Sequence, residues 1–328
     1  MKKIVSLILC VALLVSACAL TGCGAKTLKF GSAVFVSDYT ATDASADANG
    51  SGTVNVTVAA VTVDAAGKIV ACALDTMQNK VEYTVKGKAV GNPEFKTKYE
   101  QGKDYNMVAY GGATKEWFEQ ADAFEGVVAG KTLDEVKALV IDGYKAGDEL
   151  VAAGCTIAVS DFVGALEKAY NNAAESAVTA NDTLKVAAYT SQEIADATKD
   201  AEGKNALDIY TFAAAVNAEG KVITADSDCV QASFTFTTKG KATTDVSKAL
   251  ASKREKGADY GMVAYGGATK EWFEQADAFD SLCEGKTGAE IKGLMNTAGD
   301  NAGKGVEEVI NAGCTIYVSG MVAAASKI

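Results

Sequence analysis

The sequence predicts an α+β fold built twice in one chain: two homologous domains, each an antiparallel sheet followed by packed helices. Three observations lead there. A 21-residue stretch occurs twice, as Asp104–Phe124 and Asp259–Phe279, and differs only at Asn106 against Gly261. Upstream of each stretch, apolar residues alternate with polar ones, the period of a strand. Inside and beyond it they recur at helical spacing.

The N-terminus reads as an address. Lys2 and Lys3 precede a short apolar run, Ile4 to Ala17, which is too short to span a bilayer comfortably. The run leads to Leu20-Thr21-Gly22-Cys23, the pattern of a bacterial lipoprotein signal whose cysteine becomes the lipidated first residue. Residues 1–22 are therefore expected to be removed, with lipidation at Cys23 and residues 23–27 as a short tether. The alternative is an ordinary secretory signal cut elsewhere. The expected location is the extracytoplasmic face of the cell membrane, with lipid as the membrane partner.

Repeat one is expected at 28–169, a linker at 170–183 and repeat two at 184–328. Val54, Val56 and Val58 alternate with polar residues, and Leu207, Ile209 and Thr211 align with them, as in a half-buried strand. Asp64 to Gly67 and Asn217 to Gly220 supply turn residues. Ile69 to Leu74 returns, and a separate strand carries Val81, Tyr83 and Val85. From Thr114 the apolar stripe is Trp117, Phe118, Ala121, Phe124 and Val127 or Val128, one face of a helix that Gly130 would end. Thr132 with Glu135, and Thr287 with Glu290, match capping boxes. Cys155 to Val159 reads as a buried strand, and Phe162, Leu166 and Ala169 as a closing helix.

Composition excludes several functions. The chain has no histidine, which removes Ser-His-Asp and Cys-His catalysis and His-held zinc or haem. A net charge of −11 and a single arginine, Arg254, argue against nucleic acid. No paired-carboxylate arrangement for acid–base work is visible, so an enzyme is the weakest reading. Five cysteines follow Cys23, and only Cys155 and Cys314 correspond between repeats. They read as small buried apolar residues, with a thiol role for Cys155 and Cys314 as the alternative. No metal site is expected. Gly126 to Thr132 falls short of a P-loop, because three residues stand between its glycines where four are needed.

The repeated stretch holds the candidate binding residues. Tyr110, Gly111, Gly112, Ala113, Thr114, Lys115 and Trp117 lie where an extended segment meets a helix N-terminus, and Tyr265, Gly266, Gly267, Ala268, Thr269, Lys270 and Trp272 repeat them. Glycines let amides approach a ligand, the first helical turn has unpaired N–H groups, lysine adds a cation, and the aromatics add flat faces. Such a site suits a phosphate attached to an aromatic ring. The same residues also describe a well-made helix start over a core. Identity at Lys115, Glu116, Glu119, Gln120 and Asp122, read as surface-directed, favours the binding reading; recent exchange between the two repeats is the alternative explanation.

Gly52-Thr-Val-Asn-Val-Thr-Val58, Gly67-Lys-Ile69 and the Gly112-Ala-Thr114 and Gly267-Ala-Thr269 turns resemble FMN-binding domains of bacterial surface lipoproteins. The stretch from Lys115 to Ala121 and the Ala-Gly-Cys-Thr-Ile segments also look like those of a group of lipoproteins from anaerobic Gram-positive bacteria. The resemblance implies FMN as cofactor and a role in electron transfer outside the cytoplasm. Covalently flavinylated members attach FMN through a threonine before Gly-Ala-Thr, with an aspartate three residues earlier. Here Gly111 and Val108, and Gly266 and Val263, stand there, so any flavin is expected to bind without a covalent link. The alternative expectation is a surface interaction lipoprotein with no small ligand.

Overall fold

The computed structural model describes residues 26–91 and 94–328. The expected signal peptide and Cys23 lie outside the described residues. Among these, no helix is long and apolar enough to cross a membrane.

The first half opens with β1 (Thr27–Thr42), β2 (Gly50–Val63), β3 (Ile69–Tyr83) and the short β4 (Ala89–Val90). One helical turn, α1 (Lys98–Gln101), precedes α2 (Trp117–Val128). Then come α3 (Leu133–Lys137), a small hairpin of β5 (Val140–Ile141) and β6 (Lys145–Ala146), α4 (Asp148–Ala153) and α5 (Ser160–Asn171). β7 (Ala174–Thr179) leads into the second half, with β8 (Thr183–Ala195), β9 (Gly203–Val216) and β10 (Val222–Phe236). The helices α6 (Lys253–Lys256), α7 (Trp272–Cys283), α8 (Gly288–Ile291), α9 (Glu307–Ala312) and α10 (Ser319–Ala325) complete it. The fold is mixed α+β, with antiparallel sheets and helices.

The sheets run β4-β3-β2-β1-β7 and β10-β9-β8. They pack face to face: β3 lies against β8, β2 against β9 and β1 against β10. Val54, Val56, Val58, Met77 and Val81 meet Leu207, Ile209, Val230 and Phe234 between them. Helices cover both outer faces. Trp117, Phe124 and Leu166 sit on Val61, Val63 and Leu74, while Trp272, Phe279 and Met321 sit on Phe212, Ala214 and Val216. The order is helices, sheet, sheet, helices. Each sheet has apolar residues on both faces, so neither half would hide its inner face alone.

Four expectations need correction. Val54 to Val58 was expected on a half-buried strand, yet Asn55 and Thr57 on its other face are buried too, with Thr57 bonded to Thr76 at 2.9 Å. Alternation marked the two faces and did not show that both are covered. Ile69–Leu74 and Val81–Val85 are not separate strands, since β3 runs unbroken from Ile69 to Tyr83. In its polar middle Thr76 bonds Thr57, and Asn79 accepts from Thr190 of the facing sheet at 2.8 Å. The expected linker 170–183 is no linker: α5 ends at Asn171 and β7 pairs with β1, Phe30 opposite Ala174. Cys155 to Val159 is a loop whose one ladder contact is Ala158 with Lys145. Both capping boxes form as expected, at Thr132 with Glu135 and Thr287 with Glu290.

Candidate functional site

The repeated turn begins where a 3-10 turn ends in a left-handed residue, Asn106 at φ 63° or Gly261 at φ 79°. Asn and Gly are the residue types that adopt this conformation most easily, which accounts for the one difference in the stretch. The chain then folds back on itself. The N–H groups of Tyr110 and Gly111 donate to the Asn106 carbonyl at 3.1 and 3.2 Å, and that of Ala113 to Met107 at 3.0 Å. In the second half Tyr265 donates to Gly261 at 2.9 Å and Ala268 to Met262 at 3.0 Å. Gly111 is required, because a Cβ there would lie 2.7 Å from the Met107 oxygen.

An anion already sits in the turn. The Glu116 carboxylate accepts the N–H groups of Met107 at 3.0 Å and Val108 at 3.4 Å. Glu271 accepts those of Met262 and Val263 at 2.9 and 3.1 Å. Both carboxylates are nearly buried, at 6% and 7% exposure. The same glutamates are the N-caps of α2 and α7, in reciprocal boxes with Glu119 and Glu274. The helices therefore start at Trp117 and Trp272. Thr114 and Thr269, three residues earlier, cap nothing.

The remaining expected site residues separate. Trp117 and Trp272 are core side chains, and Trp117 meets Tyr99 and Phe162 edge to face. Their faces are not offered to a ligand. Lys98 and Lys253 cover them instead, 5.1 and 5.3 Å from the ring centres. Lys115 reaches away from the turn to the Ala153 carbonyl, and Lys270 packs against Gly313. Gln120 donates to the Lys115 carbonyl and accepts from Thr156, and Gln275 does the same with Lys270 and Thr315. Lys115, Glu116, Glu119 and Gln120, expected to serve a ligand, thus hold the fold. The tips remain exposed: Val108 at 44%, Tyr110 at 87%, Val263 at 47% and Tyr265 at 92%. They flank the outer helical layers on opposite sides of the sandwich.

Among the clefts at the seam between the halves that sequence reading missed, two are built on corresponding residues. One, of about 490 Å³, is lined by Asp75, Tyr99, Asp122, Glu125, β8 and Lys327. The other, of about 520 Å³, is lined by β1, Lys168, Asp226, Asp228, Arg254 and Glu255. Burial pushes the Glu125 carboxyl up to about 8 and Asp75 to about 6. Across the seam, burial pushes Asp280 up to about 7 and Asp228 to about 6, although Arg254 opposes the rise at Asp280. One signal was present in the sequence: the only arginine falls opposite Tyr99 when the repeats are aligned.

The five cysteines from Cys72 to Cys314 are buried and free, and burial raises Cys155 and Cys314 to about 11. Such thiols are poor nucleophiles. Among the described residues no group of His, Cys, Asp and Glu is placed to hold a metal.

The raised carboxyls set a pH dependence. Their folded pKa values exceed the ordinary 4.5 and 3.8, so between those limits the folded chain binds more protons than the unfolded one. Their stabilising contribution is full below about pH 4 and is lost as pH rises toward about 8. Lys98, lowered to about 8 by burial, acts above this window. Calorimetry at intervals from about pH 5 to about pH 8 should show a falling Tm. A rising Tm would contradict the burial of these groups.

Comparison with protein-family models, with curated protein sequences and with solved structures finds no match.

Proposed function

We propose that the chain is a lipid-anchored lipoprotein of the extracytoplasmic membrane face, made of two homologous domains, that binds a partner without transforming it. Cys23 carries the lipid, and the domains correspond to residues 28–169 and 184–328. One observation supports this reading above all. Val108 to Gly112 and Val263 to Gly267 are identical and face solvent, while the polar neighbours in the motif serve internal contacts. Exposed surface that packing does not require, displayed twice, suits recognition.

The tip chemistry narrows the partner. Val108-Ala-Tyr-Gly-Gly112 carries no charge, and the whole chain is acidic, which disfavours anionic polymers. An exposed tyrosine ring beside open glycine backbone suits the apolar face and hydroxyls of a neutral glycan. Two tips on one chain give bivalent attachment. Flavin is the competing ligand implied by the family resemblance. At this turn its phosphate would have to displace Glu116 from the Met107 and Val108 amides.

The test is co-sedimentation with purified cell-wall glycan stripped of anionic polymers. Wild type should sediment, Tyr110→Ala and Tyr265→Ala should each lose roughly a hundredfold through lost avidity, and the double variant should not be retained. All should keep the wild-type Tm, because these side chains touch little. Undiminished retention of the double variant would sink the reading. FMN co-eluting with both wild type and double variant would replace it with the flavin one.

A further inference from the structure

The two seam clefts are built on the same contacts. In the first, the N-cap Thr97 opens α1, and the Tyr99 N–H donates to Asp75 at 3.3 Å. In the second, the N-cap Ser252 opens α6, and the Arg254 N–H donates to Asp228 at 3.1 Å. Glu125 of α2 accepts the Leu74 N–H of β3, and Asp280 of α7 accepts the Ser227 N–H of β10, both at 2.8 Å. Lys327 pairs with Glu100 on one side, and Lys168 pairs with Glu255 on the other. Tyr99 and Arg254 therefore hold the same place, as do Asp122 and Asp277, Glu125 and Asp280, and Ala73 and Asp226.

The second cleft shows what this carboxylate set takes. The Arg254 guanidinium reaches Asp277 at 2.6 Å, Asp280 at 2.8 Å, Asp226 at 2.6 Å and the Ser227 carbonyl at 2.6 Å. Planar N–H donors meet converging carboxylates, the geometry that guanidinium satisfies best. In the first cleft Asp122 and Glu125 persist, while the arginine and one aspartate are replaced by Tyr99 and Ala73. The Tyr99 hydroxyl donates to Asp122, and Lys327 is engaged by Glu100 and by the Ala188 carbonyl at 2.6 Å. Neither puts a cation on Glu125, and the cleft of about 490 Å³ is large enough for a small molecule.

We infer that the first cleft is a binding site for an alkylguanidinium, whose N–H donors take at Asp122 and Glu125 the place that Arg254 takes at Asp277 and Asp280. The site is independent of the loop tips. Its ligand is a free small guanidine or the arginine side chain of a peptide, two sources of one chemistry. Glu125, facing Asp75, Asp122, Tyr99, Glu100 and Lys327 across the cleft, ionises as the ligand enters and releases its proton.

The experiment is calorimetric titration of the full chain at neutral pH with ethylguanidine and with N-acetyl-arginine amide, each in two buffers of different ionisation enthalpy. Saturable binding with proton release is expected, and the tighter of the two probes identifies the source. Tetramethylammonium, which lacks N–H donors, should not bind. Glu125→Gln should weaken binding at least tenfold. The double variant Tyr99→Arg with Ala73→Asp rebuilds the internal pair, and should fold with an unchanged or higher Tm and bind neither probe. Equal binding by that folded double variant, binding of tetramethylammonium with the same affinity, or no binding to wild type at about 10 mM probe would each overturn the assignment.

Discussion

Replacing Arg254 with alanine should destabilise the chain by about 3 kcal/mol at pH 8, the low end of the range for breaking a buried ion pair because the arginine keeps 22% exposure. The reason is what remains behind. Asp280 is 6% exposed at its side chain, and Arg254 is its ion-pair partner. Without the guanidinium, the buried Asp280 and the partly exposed Asp226 stay close together, ionised, with no cation between them. The penalty should shrink toward pH 5. Burial already places Asp280 at about 7, so in acid it is protonated and needs no partner. Urea unfolding at the two pH values checks this. A loss below about 1 kcal/mol, or one independent of pH, would show that the cluster is solvated.

The second large effect concerns the turn. Glu116→Ala removes an N-cap, worth about 1 kcal/mol, and two amide bonds to a carboxylate, for a total of about 2–3 kcal/mol. Glu271→Ala should cost the same in the other half. The two sites share no contacts, so the double variant should lose about 5 kcal/mol. That is a large share of the stability of an ordinary domain. The single variants also free the Met107 and Val108 amides, or those of Met262 and Val263. Inorganic phosphate should then raise the Tm of the variants and leave that of wild type unchanged. Thermal melts with and without phosphate separate the outcomes, and phosphate stabilisation of wild type would mean that the turn is open to external anions.

Local structure was legible because its causes are local. Thr132 and Glu135 announce a helix start by their spacing, and Asp64 closes its turn by accepting from Ala66 and Lys68. The stripe through Trp117, Ala121, Phe124 and Val128 gave the buried face of α2. What covers a strand's second face was not legible. Val54 and Leu207 read alike whether they meet a helix, a sheet or water, and the sheet-on-sheet packing depends on residues roughly 150 positions apart. β7 was missed because Ala174 to Thr179 is small and polar until Val178, whose burial comes from the far sheet. At the turn the sequence showed glycines, amides and a helix start, which are the parts of an anion site. It did not show that Glu116 folds back to be the anion. The same ambiguity hid Tyr99 and Arg254, whose equivalence gains meaning only once Glu125 and Asp280 are seen on the facing helices.

Amide hydrogen exchange by NMR at neutral pH tests the self-filled turn most directly. Met107, Val108, Met262 and Val263 should exchange slowly in the wild-type chain, and Glu116→Ala should release the first two while leaving the last two protected. Rapid exchange of all four in wild type would contradict the account, because the amides would then be facing water and not the chain's own carboxylates.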